Sequence, residues 1–214
     1  EETSRYIAKV LDIKYEYLIQ DVYDQIQENL KIVEKSLIEK YQIVDEETEK
    51  LIKYNLEYSK LNGYDELSFK LTHNLFRVYL RNNNIDDIHL LLSDYYGLFQ
   101  KCNNKENQII YSKDIASFFA VSGEYGEAVN CYSRTRQLLD KSNKKDSIEF
   151  AIICCYEAYC LVEINEFEKA YELLKSVLDY VDDFDYDADK IKFYHLIGML
   201  NILLNKEEAD KFVR

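Results

Sequence analysis

From about residue 64 onward, apolar residues recur at the three- and four-residue spacing of an amphipathic helix, and short polar breaks interrupt them. LSFKLTHNLFRVYL stops at RNNN and resumes as IDDIHLLLSDYYGLF. IIYSKDIASFFAVS stops at Gly123 and resumes as EYGEAVNCYSRTRQLL. FAIICCYEAYCLVEI, Asn165 and EFEKAYELLKSVLDYV make a third such set; KIKFYHLIGMLNILL, Asn205 and KEEADKFV make a fourth. Each reads as helix, turn, helix, and the unit recurs about every 40 residues, the period range of helical repeats.

Composition agrees with helices nearly end to end. The 214 residues include no proline and five glycines, so residues that break a helix are scarce. The length supports one domain of ordinary size with a continuous core. A net charge of -13 repels phosphate backbones, which excludes nucleic-acid binding by the general surface. There is no apolar run long enough to span a bilayer and no leader-like segment, so the chain is expected in the cytoplasm without a membrane partner. Cys102, Cys131, Cys154, Cys155 and Cys160 are odd in number and contain no C-x-x-C pair, which suits reduced thiols packed as small hydrophobes.

The chemistry-bearing motifs are sparse. DYVDDFDYDAD places Asp183, Asp185 and Asp187 like the start of a calcium loop. Ala188, however, stands where the sharp turn needs glycine, and Tyr194 where the bidentate glutamate belongs, so this segment reads as a solvated inter-repeat loop. His73, His89 and His195 are scattered, and no nucleophile has a base at a recognisable spacing. No enzymatic activity, metal or cofactor is expected.

A small or apolar residue stands at the same place in each second helix: Ile88, Ala128, Ala170 and Ala209. Tyr125 and Phe167 precede two of them. EYGEAVNCY and EFEKAYELL resemble the tetratricopeptide signature, in which a small residue of the second helix packs on a small residue of the first. The resemblance makes Ala116, Ala158 and Gly198 the first-helix partners. It implies an all-α, right-handed superhelix of degenerate tetratricopeptide-like hairpins, each hiding its remaining apolar face on its neighbour. Phe76, standing where the first clear hairpin wants a small residue, departs from the pattern, as does the period, longer than the usual 34 residues of that family.

The N-terminal stretch SRYIAKVLDIKYEYLIQD resembles the closing helices of an Xre-type helix-turn-helix domain: a helix like YIAKVL, a turn at Asp12 and Ile13, then a short helix ending in Leu18 and Ile19. An amphipathic helix that simply caps the stack is the alternative. A repressor-like tail followed by degenerate hairpins is the order found in the Rgg, ComR and PlcR peptide-sensing regulators of Gram-positive bacteria, which the chain resembles over almost its whole length. The resemblance implies residues 1–20 as the remnant of a helix-turn-helix domain or a linker helix, and residues 21–214 as a peptide-binding and dimerisation domain. It further implies a homodimer, a short signalling peptide in the concave groove lined by first helices, and DNA contact only through a head upstream of residue 1. Two alternatives stand beside this: a Rap-like antagonist that seizes a response regulator, and a generic tetratricopeptide scaffold.

Placing first-helix residues relative to the small crossing residue selects the inward face. That face carries Lys70, His73 and Arg77 on the first clear hairpin, Lys113 and Ser117 on the second, Cys155 and Tyr159 on the third, and Lys192 and His195 on the last. Cations along a groove in an acidic chain point to a carboxylate-bearing ligand, with Tyr159 offering an apolar body and a polar tip. Asn74, Asn82 and Asn201 are candidates for the peptide backbone. The competing reading of the cations is pairing with Glu and Asp three or four residues away.

Overall fold

The computed structural model describes residues 2–12, 21–39, 44–142, 147–184 and 187–204. Among them are ten α-helices and no strand. The chain divides into two compact units, Glu1–Cys102 and Asn103–Arg214. The first contains α1 (Glu2–Val10), α2 (Val22–Glu39), α3 (Glu46–Leu61), α4 (Asp65–Arg81) and α5 (Ile85–Lys101). The second contains α6 (Lys105–Val121), α7 (Tyr125–Lys141), α8 (Ile148–Glu163), α9 (Phe167–Lys175), a 3-10 helix (Leu178–Asp183) and α10 (Asp187–Leu203).

The polar breaks seen in the sequence are chain reversals of one kind. At Gly123 the backbone is left-handed (φ 78°); its N–H donates to the Ala120 carbonyl at 3.2 Å, and the Glu124 N–H to the Phe119 carbonyl at 2.8 Å. This pair of bonds satisfies carbonyls at the end of α6 and closes a Schellman turn. The same two bonds recur around Gly63 (φ 70°), Asn83 (φ 56°) and Asn165 (φ 61°). Glycine and asparagine fill these positions because they reach the left-handed region at least cost. The next residue is already the N-cap of the following helix: the carbonyls of Tyr64, Asn84, Glu124 and Glu166 accept from Ser68, Ile88, Ala128 and Ala170. Acidic residues then occupy the first turns of α4, α5, α7 and α9, where the helix dipole favours them.

The remaining helix starts of these pairs use side chains. Asp45, Asn104 and Ser147 cap α3, α6 and α8 by accepting from the N–H of Thr48, Asn107 and Phe150 at 2.8, 2.9 and 3.2 Å. The reversal at Gly63 was not separated by the hydrophobic pattern, which left residues 22–63 undivided; it makes α3 and α4 an additional close pair.

In the first unit α4 is the central helix. It packs against α2, α3 and α5 and buries Leu67, Phe69, Leu71, Leu75, Phe76, Val78 and Tyr79. Phe76, expected to disturb the crossing, is fully buried opposite the equally buried Tyr95, ring centroids 5.6 Å apart, with Phe69 at 5.3 Å from the same ring. An aromatic cluster thus replaces small-on-small packing. Asn82 does not face a ligand: its amide accepts from the Val44 N–H at 3.0 Å and donates to the Val44 carbonyl at 3.1 Å. Arg81 donates to the Leu37 carbonyl at the end of α2 at 2.7 Å.

In the second unit the expected crossing residues Ala116, Ala128, Ala158 and Ala170 are all fully buried in one core, and Gly198 is buried too. Asn205 and Ala209 lie outside the described residues, as do Ile13, Leu18 and Ile19 of the N-terminal motif. Cys154, Cys155 and Cys160 are buried core thiols, and Cys102 and Cys131 are half-buried. Two details differ from expectation. The second helix of the third hairpin ends at Lys175 rather than near Val181, where Ser176 Oγ donates to the Leu173 carbonyl at 2.6 Å and competes with the helical pattern. The acidic segment is no simple solvated loop, because its 3-10 turn buries Val181 and is followed by buried Phe184; Asp185 lies outside the described residues.

A Cβ added at Gly123 meets nothing within 4 Å, so only backbone strain opposes a side chain there. Gly123→Ala is expected to lower stability by about 1–2 kcal/mol, whereas Asn165→Gly leaves it within about 0.5 kcal/mol of the parent, both read by urea unfolding. An unaffected Gly123→Ala would mean the turn tolerates another geometry.

Candidate functional site

The first helices of the second unit, α6, α8 and α10, each turn one face toward a common open groove of about 720 Å³. α6 contributes Ser117, Ala120 and Val121; α8 contributes Cys155, Tyr156, Tyr159, Val162 and Glu163; α10 contributes Lys192, His195, Leu196 and Met199. These are the one-, three- and four-residue steps of single helix faces. Tyr132 of α7 closes the floor. The side chains are mainly apolar and aromatic, the composition of a ligand-holding cleft.

Ser117, Cys155, Tyr159, Lys192 and His195, named from the sequence, come together here. Lys113 does not line the groove; its ammonium lies 3.6 Å from Glu149. Lys70, His73 and Arg77 belong to α4 in the first unit, Lys70 exposed and the other two half-buried. Asn74 and Asn201 are fully buried, each donating its amide to the carbonyl four residues earlier, and therefore offer nothing to a ligand at the surface. Tyr132, Tyr156, Val162, Glu163, Leu196 and Met199 were missed by a search for cations. One helical turn on from Tyr159 and His195, the same spacing rule reaches Val162, Glu163 and Met199.

The floor is held by hydrogen bonds. Ser117 Oγ donates to the Lys113 carbonyl at 3.0 Å, leaving the Tyr132 hydroxyl as donor of the 3.1 Å bond between the two side chains. Burial pushes the Tyr132 phenol above its ordinary value, so it stays a neutral donor. Tyr159, about half exposed on the wall, meets Tyr125 edge to face at 6.3 Å. Its phenol is also raised, by partial burial and then by the nearby Glu163 carboxylate. Lys192 is two-thirds exposed, with Asp189 at 4.0 Å. A polar cleft of about 570 Å³ lies between α7 and α9. At its base Arg136 donates Nε and Nη2 to buried Glu157 of α8 at 2.9 and 3.1 Å.

Comparison with solved structures finds matching chains. Nearly identical TPR-like repeats of a Podosopora anserina protein described as a kinesin light chain superpose with a TM-score of 0.69 at 14% identity, over 91% of this chain and 93% of that one, in the form carrying a single substitution. A second crystal structure of such repeats gives 0.68 at 14% identity over 88% and 92%. The fold is that of TPR-like repeats. No family model matches the sequence, and no curated protein matches it significantly. No helix among the described residues is long and apolar enough to cross a membrane.

Burial pushes the Cys154 and Cys155 thiols up to about 12. A thiol held neutral in the fold but free to ionise near 9 once unfolded gives stability that is complete below that pH and lost as pH rises toward 12. The melting temperature is therefore expected to fall steadily above pH 9, with a shallower fall in Cys154→Ala. Iodoacetamide at pH 8 is expected to label Cys154 and Cys155 far more slowly in the folded chain than in the unfolded one; equal rates would contradict their burial.

Proposed function

We propose that this chain is a peptide-holding module without catalytic function, and that a short peptide lies along α6, α8 and α10 in the groove of the second unit. The observation that carries this reading is the groove itself: an aromatic and aliphatic trough of about 720 Å³, with Lys192 and His195 on one wall. Tyr132, Tyr156 and Tyr159 offer apolar faces with polar tips, which suit a peptide whose side chains and amides both need partners. TPR-like repeats at low identity support the architecture for such binding and nothing finer.

Within this reading the chain is the sensor part of a cytoplasmic, homodimeric, peptide-responsive transcription regulator. Support for that step is the sequence order: the exposed helix α1, ended by left-handed Asp12 (φ 53°) where the repressor-like turn was expected, followed by degenerate hairpins. A Rap-like antagonist or a scaffold for large partners would share the fold.

Titration calorimetry of the whole chain with synthetic peptides from short reading frames beside its gene tests the proposal. Saturable binding is expected, and Tyr159→Ala is expected to weaken it roughly three- to ten-fold, with Tyr54→Ala, exposed in the first unit, leaving affinity unchanged. Binding only to large proteins, or a Tyr159→Ala variant with undiminished peptide affinity, would overturn it.

A further inference from the structure

The groove is not electrically uniform. Asp189 and Lys192 are the charges that act on the Cys155 thiol, so Lys192, with Asp189 beside it, lies near the Cys155 end of the α8 face. His195, exposed, stands one turn further along α10. Glu163, also exposed, ends the α8 face beyond Tyr159. At 1.5 Å rise per residue, the eight residues from Cys155 to Glu163 separate the two ends by about 12 Å. Between them stand Tyr156, Tyr159, Val162, Ala120 and Leu196, with no further charge among the lining residues. Asp189, mostly buried beneath Lys192, offsets part of the positive end, but at 4.0 Å it leaves the ammonium able to turn to a ligand.

Resting on the peptide reading above, we propose that this dipole fixes the ligand's direction and length: a peptide with free termini, its carboxylate at Lys192 and His195 and its ammonium at Glu163. An extended chain advances about 3.3–3.6 Å per residue, so a span of about 12 Å selects about four residues. Glu163 is then the specificity-determining residue. It attracts the amino terminus and repels a carboxylate, which disfavours the reversed peptide as well as acidic residues at that end. Side chains of the middle residues, apolar or aromatic, lie over the tyrosines, where burial and ring contacts hold them.

The test uses the whole chain, immobilised, and one probe: a synthetic tetrapeptide library with fixed Phe at the second position and Leu at the fourth. It is supplied with free termini, N-acetylated, C-amidated or doubly capped, and retention is read by mass spectrometry. With each charged contact partly screened, capping either end of the peptide is expected to lower retention by the parent roughly three- to ten-fold. Glu163→Gln is expected to remove the penalty for N-acetylation while keeping that for amidation. The double change Lys192→Gln with His195→Gln is expected to do the reverse. All three positions are exposed, so the variants should melt with the parent. Retention indifferent to N-acetylation, or a Glu163→Gln variant that changes the response to amidation instead, would overturn the assigned direction while leaving peptide binding intact. Failure to retain any of the four library forms would overturn the peptide reading and this proposal with it.

Discussion

The fold depends on reversing the chain within three residues while leaving no helix-end carbonyl unsatisfied. A left-handed residue after the last helical turn does this with two backbone bonds, and the residue after it begins the next helix. Because both of these bonds run backbone to backbone within a three-residue connection, the paired helices lie close from their first turn. Within the second unit α6, α7, α8 and α10 are 16 or 17 residues long, so successive reversals bring equivalent faces into equivalent places. The alanines at the crossings and the shared face of α6, α8 and α10 both follow from that regularity. Before α3, α6 and α8, side-chain caps start the helix instead.

Much of this was legible because the signals are local. Asn83, Gly123 and Asn165 punctuate the apolar periodicity, and an acidic residue follows at once after Gly123 and Asn165 and three residues on after Asn83, so turn and helix start are written side by side. The reversal at Gly63 escaped because residues 22–61 lack a comparable rhythm of small crossing residues. The early end of α9 escaped as well: the apolar pattern runs through Leu178 and Val181, and a 3-10 turn spends the same residues on the core with a different hydrogen-bond step. Phe76 shows the limit of a motif rule, since Tyr95, distant in sequence, decides whether a large residue fits.

The groove was half legible. Spacing from a crossing residue selected a face, and in the second unit that face gathers Ser117, Cys155, Tyr159, Lys192 and His195. A search weighted toward cations overvalued Lys113, which has Glu149 within reach, and passed over the tyrosines and aliphatic residues that make most of the wall. Asparagines judged by their chemistry alone proved to serve the scaffold, Asn82 by holding the Val44 backbone and Asn74 and Asn201 by bonding back along their own helices. Burial, a tertiary property, separates a group that serves the fold from one that meets a ligand.

The central claim is that the groove beside Tyr159 holds a short peptide. The most direct measurement places a photo-crosslinking benzoylphenylalanine at Tyr159, irradiates the chain in lysate of its own cells, and identifies the adducts by mass spectrometry, with the same residue at Tyr54 as control. Adducts of short peptides, found at Tyr159 and absent at Tyr54, are the predicted result. Adducts only to large proteins, or short-peptide adducts equally frequent at both positions, would contradict the account.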